Sequence, residues 1–246
     1  MEDELRRSNE ELEQFAYVAS HDMQEPLRMV TSFVQLLQRR YGEKLDETAN
    51  EYIRYAVEGS ERMRRLILGL LELSRVERHK KPLLETAADD SLDAAIENLG
   101  SRIAESGTRL HRQPLPRLLV DPDQLTRMFQ NLIANSINYC DTTPEIYITA
   151  AREGDEWIFT VEDNGPGIAP EHQERIFQVF HRLQLDPTVS GTGIGLAICR
   201  RIATRHGGRI WVEKGQQGGA AFRFSFPAND SNALDLSTPE KGTKIT

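Results

Sequence analysis

Residues 15–28 read FAYVASHDMQEPLR, and this stretch decides how the beginning of the chain folds. At about 100° per residue, its apolar side chains fall along one line of a helix, and the line continues as far as Leu37. His21 falls about 180° from that line, beside Asp22 and shortly before Pro26. The stretch therefore predicts a long amphipathic helix with a histidine on its exposed face and a proline that interrupts the backbone hydrogen bonds.

A second helical stripe follows a turn at residues 41–44, which read YGEK. Residues 1–78 are therefore predicted to form an antiparallel helical hairpin. Because a lone hairpin cannot cover both apolar faces, we expect two copies to pair as a dimeric four-helix bundle, a homodimer. The heptad spacing of Leu5 and Leu12 also predicts a coiled coil upstream, leading from a sensor domain that this chain does not include. The second stripe comprises Tyr52, Ile53, Ala56, Met63, Leu66, Ile67, Leu70 and Leu73.

The character of the sequence changes after a charged linker at residues 79–83. Residues 84–227 alternate between strand-like and helix-like segments, which predicts an α/β two-layer sandwich. Asp121 followed by Pro122 is typical of a helix start. The polar tail at residues 228–246 is expected to be disordered. Helices are predicted at 91–105, 122–139 and 193–205, and strands at 117–120, 145–151, 157–161, 209–212 and 221–226.

The composition narrows the class of protein. A net charge of −8 and a pI near 5.4 argue against a nucleic-acid partner, which would need a basic surface. Cys140 and Cys199 are the only cysteines and lie far apart, so neither a disulfide framework nor a zinc site is expected. No apolar run approaches the roughly 20 residues that span a bilayer. The sequence thus predicts a cytoplasmic protein with no membrane segment and no nucleic-acid partner.

Three polar motifs stand out in the second half. Asn131 and Asn135 share one helix face, residues 163–167 read DNGPG, and residues 191–195 read GTGIG before a helix. Each has an ordinary explanation on its own, as a pair of surface amides, a turn or a loop. A helix start rich in glycine can also bind a phosphate through free backbone N–H groups. The chain lacks a GxxxxGK[ST] motif, and its glycines do not follow a first strand, which disfavours Walker-type and Rossmann sites.

In this order the motifs resemble the ATP-binding domain shared by sensor histidine kinases, gyrase-type topoisomerases and related chaperone ATPases. The IFQVF segment at residues 176–180 resembles the phenylalanine box of the kinases. The SHDMQEPLR segment at residues 20–28 resembles the phosphoacceptor box of dimeric sensor histidine kinases, most closely in their phytochrome-related branch. The resemblance covers about residues 5–227 and implies an ATP-dependent protein-histidine kinase of two-component signalling that uses Mg²⁺.

The resemblance also implies roles for individual residues. His21 would take the phosphoryl group, Asp22 would fix the tautomer of its ring, and Arg182 would stabilise the transferring charge. Asn135 would ligate Mg²⁺, Asn131 would support the metal and phosphate site, and Asp163 would accept from the adenine amine. The phosphoryl group would then pass to an aspartate on the receiver domain of a response regulator. Further nucleotide-binding positions implied in the same way are Asn138, Tyr139, Gly165, Gly167, Ile168, Phe180, Gly191, Thr192, Gly193, Ile194, Gly195 and Leu196.

The chain departs from the family pattern at several positions. Glu25 stands where many members carry Thr or Asn, so strong phosphatase activity is not expected, because an ionised carboxylate repels a phosphoaspartate. Asn138 stands where Lys or Arg is common, which removes one phosphate cation. The lid at residues 181–190 is short, and the last glycine box, at residues 218–222, lacks Ser or Thr. These changes predict weaker binding of ATP.

Two other functions remain open. One is a dimeric signalling scaffold with a degenerate nucleotide site, which the departures favour and the presence of His21 and Asp163 disfavours. The other is an ATP hydrolase of the related branch. Its members resemble one another in a glutamate that activates water, and here Asn131 occupies that position.

Overall fold

The structure is a computed structural model that describes residues 2–78, 82–181 and 193–228, with side chains of the first helix described from residue 22 onwards. The chain divides into two compact units, residues 1–80 with 169–202 and residues 81–168 with 203–246. The predicted domains, at residues 1–78, 79–83, 84–227 and 228–246, are not tested by this division and stay a prediction. The predicted disordered tail at 229–246 lies outside the described residues.

The first unit contains the predicted helical hairpin. Helix α1 spans Glu2–Tyr41, a 3-10 turn spans Gly42–Lys44, and α2 spans Glu47–Arg78. The carboxylate of Asp46 caps α2 by accepting a 2.7 Å hydrogen bond from the amide of Ala49. The side-chain amide of Asn50 donates to the carbonyl of Gly42 at 2.9 Å. The predicted turn is thus confirmed, and it is closed by the polar side chains that follow it.

The apolar stripe of α1 is largely uncovered in the single chain. Met23, Val30 and Phe33 are 56%, 51% and 59% exposed, whereas Leu27 is buried. Such a row of exposed apolar side chains is unusual for a monomer and is typical of a surface that pairs with another one. No helix among the described residues has the length and apolar character needed to cross a membrane.

The second unit contains the sheet of the predicted α/β sandwich. A five-stranded sheet has the order β2-β4-β5-β7-β6, with β2 parallel to β4 and all other pairs antiparallel. Strands β1 and β3 form a separate antiparallel pair. The bounds are β1 Leu84–Ala87, α3 Ala88–Asn98, α4 Gly100–Ser106, β2 Arg109–Arg112, β3 Arg117–Val120, α5 Pro122–Tyr139, β4 Glu145–Glu153, β5 Glu156–Asp163, α6 Gly195–Arg205, β6 Ile210–Lys214 and β7 Ala220–Pro227, with 3-10 turns at Pro170–His172 and Arg175–Phe177.

Three phenylalanines hold helix α5 on the sheet. Phe129 of α5 is fully buried and meets Phe159 of β5 and Phe224 of β7 edge to face, with ring centroids 6.2 and 5.8 Å apart. Phe159 and Phe224 stack on each other at 4.9 Å. Along β4, buried Ile146 alternates with part-exposed Tyr147, so one face of the sheet is covered and the other is open. Aromatic packing of this kind fixes the position of α5, which carries the asparagine motif.

Several predicted boundaries need correction. The single helix expected at residues 91–105 is two helices, because Leu99 departs from helical geometry, with φ −99° and ψ 4°. Helix α6 begins at Gly195 and not at Gly193, whose φ of 68° is left-handed and cannot continue a helix. Strands β1 and β2 are not predicted from the sequence. Both are short and mostly exposed, so neither shows an alternation of buried and exposed residues.

Candidate active site

Helix α5 begins at the predicted cap. The carboxylate of Asp121, which is 2% exposed, accepts from the amides of Asp123 and Gln124 at 3.1 and 3.3 Å. Pro122 occupies the first turn, where its missing N–H costs nothing. The amide of Asp121 donates in turn to Nε2 of His206 at 3.1 Å. The start of the helix is therefore fixed, and with it the direction in which the asparagine face points.

The carboxylate of Asp163, at the end of β5, is buried and held by donors from three places. Oδ2 accepts from the hydroxyl of Ser136 at 3.1 Å, and Oδ1 accepts from the amides of Gly165 and Ala220, each at 3.0 Å. Charge-assisted hydrogen bonds of this kind offset the cost of burying the carboxylate. An ionised carboxylate has about four acceptor sites, so three bonds leave capacity for a donor on a ligand. The predicted adenine contact fits this geometry.

Ser136 was not singled out by the sequence motifs. It lies next to Asn135 on α5 and is 1% exposed, and its hydroxyl also reaches the carbonyl of Leu132 at 3.2 Å. A serine that is fully buried within a helix needs a partner, and here the partner is the site carboxylate. The helical periodicity places position 136 on the buried face beside the motif, which is the pattern that could have identified it.

Glycines allow the backbone to approach this carboxylate closely. A Cβ at Gly165 would lie 3.0 Å from Oδ1 of Asp163 and 3.5 Å from the carbonyl of Tyr139. A Cβ at Gly219 would overlap the backbone of Asp163. Gly167 has φ 75°, which residues with side chains rarely adopt. The glycines of the DNGPG turn and of the loop before β7 are thus required by the way the chain surrounds Asp163.

The end of α5 is tied to the same turn. The sulfur of Cys140 lies 3.1 Å from Oδ1 of Asn164, which also accepts from the amide of Glu145 at 2.9 Å. The side-chain amide of Asn164 donates to the carbonyl of Thr143 at 3.1 Å. Burial, and secondly the charge of Asp163, raises the pKa of the Cys140 thiol from 9.0 to about 11. This thiol is therefore protonated and unreactive at neutral pH.

The side-chain amide of Asn131 has a buried donor atom, Nδ2, without a partner among the described residues. Asn135 and Asn138 lie on the same face of α5, one and two turns further on. Buried amides normally find partners, so the unpaired amide of Asn131 is consistent with an acceptor that a bound molecule supplies.

The donor set also fits a magnesium nucleotide. Within the described part of the chain, no group of three or more His, Cys, Asp or Glu residues could enclose a metal ion. Mg²⁺ is usually held by one or two protein oxygens together with phosphate oxygens and water, and not by a full protein cage. The amide oxygen of Asn135 is a suitable single ligand of that kind.

In the first unit, one hydrogen bond joins the two sides of the predicted lid. The amide of Phe180 donates to the carbonyl of Gly193 at 3.0 Å. Phe180 has φ 65° and is 52% exposed, whereas Ile176 and Phe177 of the predicted phenylalanine box are buried. Residues 182–192 lie outside the described residues. They include most of the predicted lid at residues 181–190 and the predicted site residues Arg182, Gly191 and Thr192. The hydrogen bond between Phe180 and Gly193 therefore holds the residues on either side of the predicted lid together.

The start of α6 carries the other residues of the glycine motif. Gly195 opens the helix and Leu196 follows it, part-exposed. Ile194 is 1% exposed and packs against Gly69 of α2, where any Cβ would overlap its side chain. In the second unit, the predicted residue Ile168 follows Gly167 and is part-exposed, as is Tyr139 at the end of α5.

The backbone of His21 lies on α1 as predicted, and its side chain lies outside the described residues. Its neighbours Asp22 and Glu25 are exposed. Pro26 lies inside α1 and has no N–H to donate to the carbonyl of Asp22. The hydroxyl of Thr31 donates to the carbonyl of Leu27 at 2.9 Å, a bond that often bends helices. The predicted helix with a proline inside it is confirmed, whereas the predicted exposure of the His21 side chain stays a prediction.

Comparison with known protein families gives two matches. The model of the His Kinase A phospho-acceptor domain matches residues 11–79, which include His21. The model of the histidine kinase-, DNA gyrase B- and HSP90-like ATPase matches residues 120–230, which include α5 and Asp163. The two matches follow one another in the order that the sequence motifs predict.

Individual proteins similar to this chain are consistent with these two family matches. Cyanobacterial phytochrome A of Nostoc sp. is 48% identical over 225 residues, covering 91% of this chain and 29% of the relative. Phytochrome-like protein Cph1 of Synechocystis sp. is 45% identical over 224 residues, covering 91% and 30%. The chain thus spans less than a third of the length of these curated relatives. The crystal structure of full-length ShkA in complex with AMPPNP superposes with a TM-score of 0.64 at 28% identity, covering 87% of this chain and 45% of that one.

Proposed function

The chain belongs to the histidine kinases, and on that premise we propose that it is the catalytic core of a sensor histidine kinase, which phosphorylates its own His21 from ATP. The observation that carries the proposal is the buried carboxylate of Asp163, fixed by three donors, on a domain that also holds the unpartnered amide of Asn131. A purely structural role of Asp163 would leave the unpartnered amide of Asn131 unexplained. A nucleotide offers the adenine amine as a donor to Asp163 and phosphate oxygens as acceptors for Asn131, so one ligand satisfies both side chains.

The nucleotide is proposed to bind with its adenine amine donating to Asp163. The side chains of Asn131 and Asn135 bind the phosphates and Mg²⁺, which when bound would neutralise charge on the transferring group. On the resemblance of the GTGIG motif alone, the backbone N–H groups that follow Gly193 are assigned to phosphate oxygens. We assign to Arg182 the stabilisation of the negative charge that develops on the phosphoryl group during its transfer.

The phosphoryl transfer is assigned to His21. A ring nitrogen of His21 attacks the γ-phosphorus with its lone pair, the bond from that phosphorus to the bridging oxygen breaks, and ADP leaves with the electrons. Asp22 accepts a hydrogen bond from the other ring nitrogen and so keeps the attacking nitrogen unprotonated. The exposure of Asp22 and Glu25 supports an open face that a separate domain can approach.

The kinase is proposed to act as a homodimer. The exposed apolar side chains of Met23, Val30 and Phe33 would be covered by the same surface of a second chain, forming a four-helix bundle. Shared burial of two stripes of this length is a large source of association free energy. Unpaired, the stripe would promote aggregation.

Its partners follow from the class of reaction. We assign the second transfer to an aspartate on the receiver domain of a response regulator, and the stimulus to a sensor domain upstream of this chain. Cys140 and Cys199 form no disulfide, which suits a reducing cytoplasm. Glu25 beside the phosphoacceptor disfavours dephosphorylation of the regulator, because its charge repels phosphoaspartate. The second candidate remains a dimeric scaffold that binds nucleotide poorly, for which Asn138 is the supporting residue.

The proposal is tested by incubating the purified chain with γ-labelled ATP and Mg²⁺. We expect a protein-bound label that acid removes and alkali does not, as phosphohistidine requires. His21→Gln should abolish the label and leave ATP binding unchanged, whereas His111→Gln, at an exposed histidine of β2, is the matched control and should label normally. Label persisting in His21→Gln would refute the assignment. Release of free phosphate without label would indicate a hydrolase, and absence of both would indicate a scaffold.

A further inference from the structure

We propose that Arg102 binds the phosphates of the nucleotide, held in position by the side chain of Asn138; this assignment rests on the proposed function. Neither the asparagine motif nor the glycine motifs include this arginine. It lies on α4, which packs beside α5. Its contribution to the site follows from its contacts and charge.

The contact places the guanidinium on the asparagine face of α5. Nη2 of Arg102 donates to Oδ1 of Asn138 at 2.5 Å, although the two residues lie on different helices. Asn138 shares its helix face with Asn131 and Asn135. The next residue, Tyr139, has its carbonyl 3.5 Å from where a Cβ of Gly165 would lie. The cation is thus anchored about one helical turn from the proposed metal ligand, at the end of α5 that meets the DNGPG turn.

The charge of Arg102 is oriented but not neutralised. Within the described part of the chain it has no ion pair with a carboxylate, whereas the arginines that follow it in sequence do. Arg109 pairs with Glu145, and Arg112 pairs with Asp93. The amide oxygen of Asn138 is a neutral acceptor and uses only part of the five-donor fork of a guanidinium. Because both side chains are part-exposed, the remaining donors can reach an anion.

The ligand that suits this arrangement is a nucleoside di- or triphosphate. A guanidinium with free donors matches the oxygens of a phosphate in charge and in planar geometry. Asn138 stands where Lys or Arg is common in the family, and it carries no charge itself. It holds one that α4 supplies, so the site has a phosphate cation after all.

If Arg102 had only a structural role, the expected effect of replacing it would differ from that of a phosphate-binding residue. A cation near the last turn of α5 also interacts favourably with the helix dipole, and a bond between α4 and α5 stabilises their packing. If that were its whole role, replacing Arg102 would weaken binding of ATP and of adenosine equally. If it binds phosphate, only ATP binding suffers.

The experiment measures the binding of ATP and adenosine to the full chain by calorimetry with Mg²⁺ present. We expect Arg102→Gln to weaken ATP binding by about tenfold or more while leaving adenosine binding unchanged, since a charge-assisted bond to phosphate is lost. Adding Asn138→Lys to that variant should restore ATP affinity, because it returns a cation to the same place. Arg109→Gln removes an equal charge from the exposed surface of β2 and is the matched control.

An unchanged ratio of ATP to adenosine affinity in Arg102→Gln would overturn the proposal, as would failure of the double variant to recover while it remains folded. Thermal unfolding of each variant identifies any that does not fold, and the rescued double variant then decides. If the unsubstituted chain binds no ATP, the proposed kinase function fails, and this assignment fails with it. Normal ATP binding together with an unchanged ratio rejects the role of Arg102 alone.

Discussion

The hydroxyl of Ser136 donates a 3.1 Å hydrogen bond to Oδ2 of Asp163, and both side chains are buried. This bond links helix α5, which carries the asparagines, to the end of β5, which carries the proposed adenine acceptor. The other carboxylate oxygen already accepts from two amides. Ser136 is therefore the side chain that orients the carboxylate relative to the helix.

Replacing Ser136 with alanine is expected to lower the free energy of unfolding by about 1–3 kcal/mol, because a buried carboxylate oxygen loses its donor. Chemical denaturation monitored by circular dichroism measures the change. Ser101→Ala, at an exposed position of α4, is the matched control and should change stability by less than about 0.5 kcal/mol. Equal effects of the two substitutions would show that the bond to Asp163 does not stabilise the domain.

The raised pKa of the Cys140 thiol, about 11 against 9.0 for a free thiol, makes stability depend on pH at the alkaline end. Between these values the unfolded chain binds fewer protons than the folded one, so the free energy of unfolding falls as pH rises from 9 to 11. Its contribution is fully present below pH 9. Cys140→Ala should flatten this part of the profile, measured by denaturation across that range. An unchanged alkaline slope in the variant would contradict the expected ionisation.

Alkylation provides a second readout of the same thiol. Cys140 should react with iodoacetamide slowly at pH 8 and faster as the pH approaches 11, as followed by mass spectrometry of the modified peptide. Cys199 is fully buried and serves as the internal control, since it should react only when the domain unfolds. Fast reaction of Cys140 at pH 8 would be the contrary result.

Asn131→Leu is expected to keep or raise thermal stability and to abolish ATP binding. The buried Nδ2 has no partner among the described residues, so an apolar side chain of similar size removes an unsatisfied group. The ligand, however, loses a hydrogen bond that the site provides. Calorimetry and thermal unfolding of the same preparation measure both effects. Asn98→Leu, at the exposed end of α3, is the control and should leave ATP binding unchanged.

Val30→Glu is expected to convert the proposed homodimer into a monomer. Val30 lies at the centre of the α1 stripe and is 51% exposed in the single chain, and a pair of buried like charges at a two-fold interface is strongly unfavourable. Sedimentation at micromolar concentration measures the change in mass. Ser32→Glu adds the same charge to the opposite face of α1 and should leave the dimer intact. A stable monomer of the unsubstituted chain would remove the homodimer from the proposal.

The sequence anticipates the elements that have a strong local pattern. The hairpin follows from two apolar stripes and a YGEK turn. Helix α5 follows from Asp121 and Pro122, and the structure confirms the capping bonds of Asp121. The break at Leu99 and strands β1 and β2 are not anticipated, because they are set by packing of short segments and leave no periodic pattern.

The same division holds for the site. Asp163 and its glycines are recognisable as a motif within a few residues. Ser136 lies 27 residues from Asp163 and Arg102 lies 36 residues from Asn138, so only the fold shows which side chains they contact. Non-local contacts of this kind are what sequence motifs cannot record.

The three donors to Asp163 also set the order in which the site can be completed as the chain is synthesised. Ser136 and Gly165 are available early, but the amide of Ala220 belongs to β7, the last strand of the sheet. A nascent chain that has not yet left the ribosome as far as residue 220 lacks one of the bonds that fix the carboxylate. Competence to bind ATP should therefore appear only after residue 220 has emerged, later than the helical hairpin.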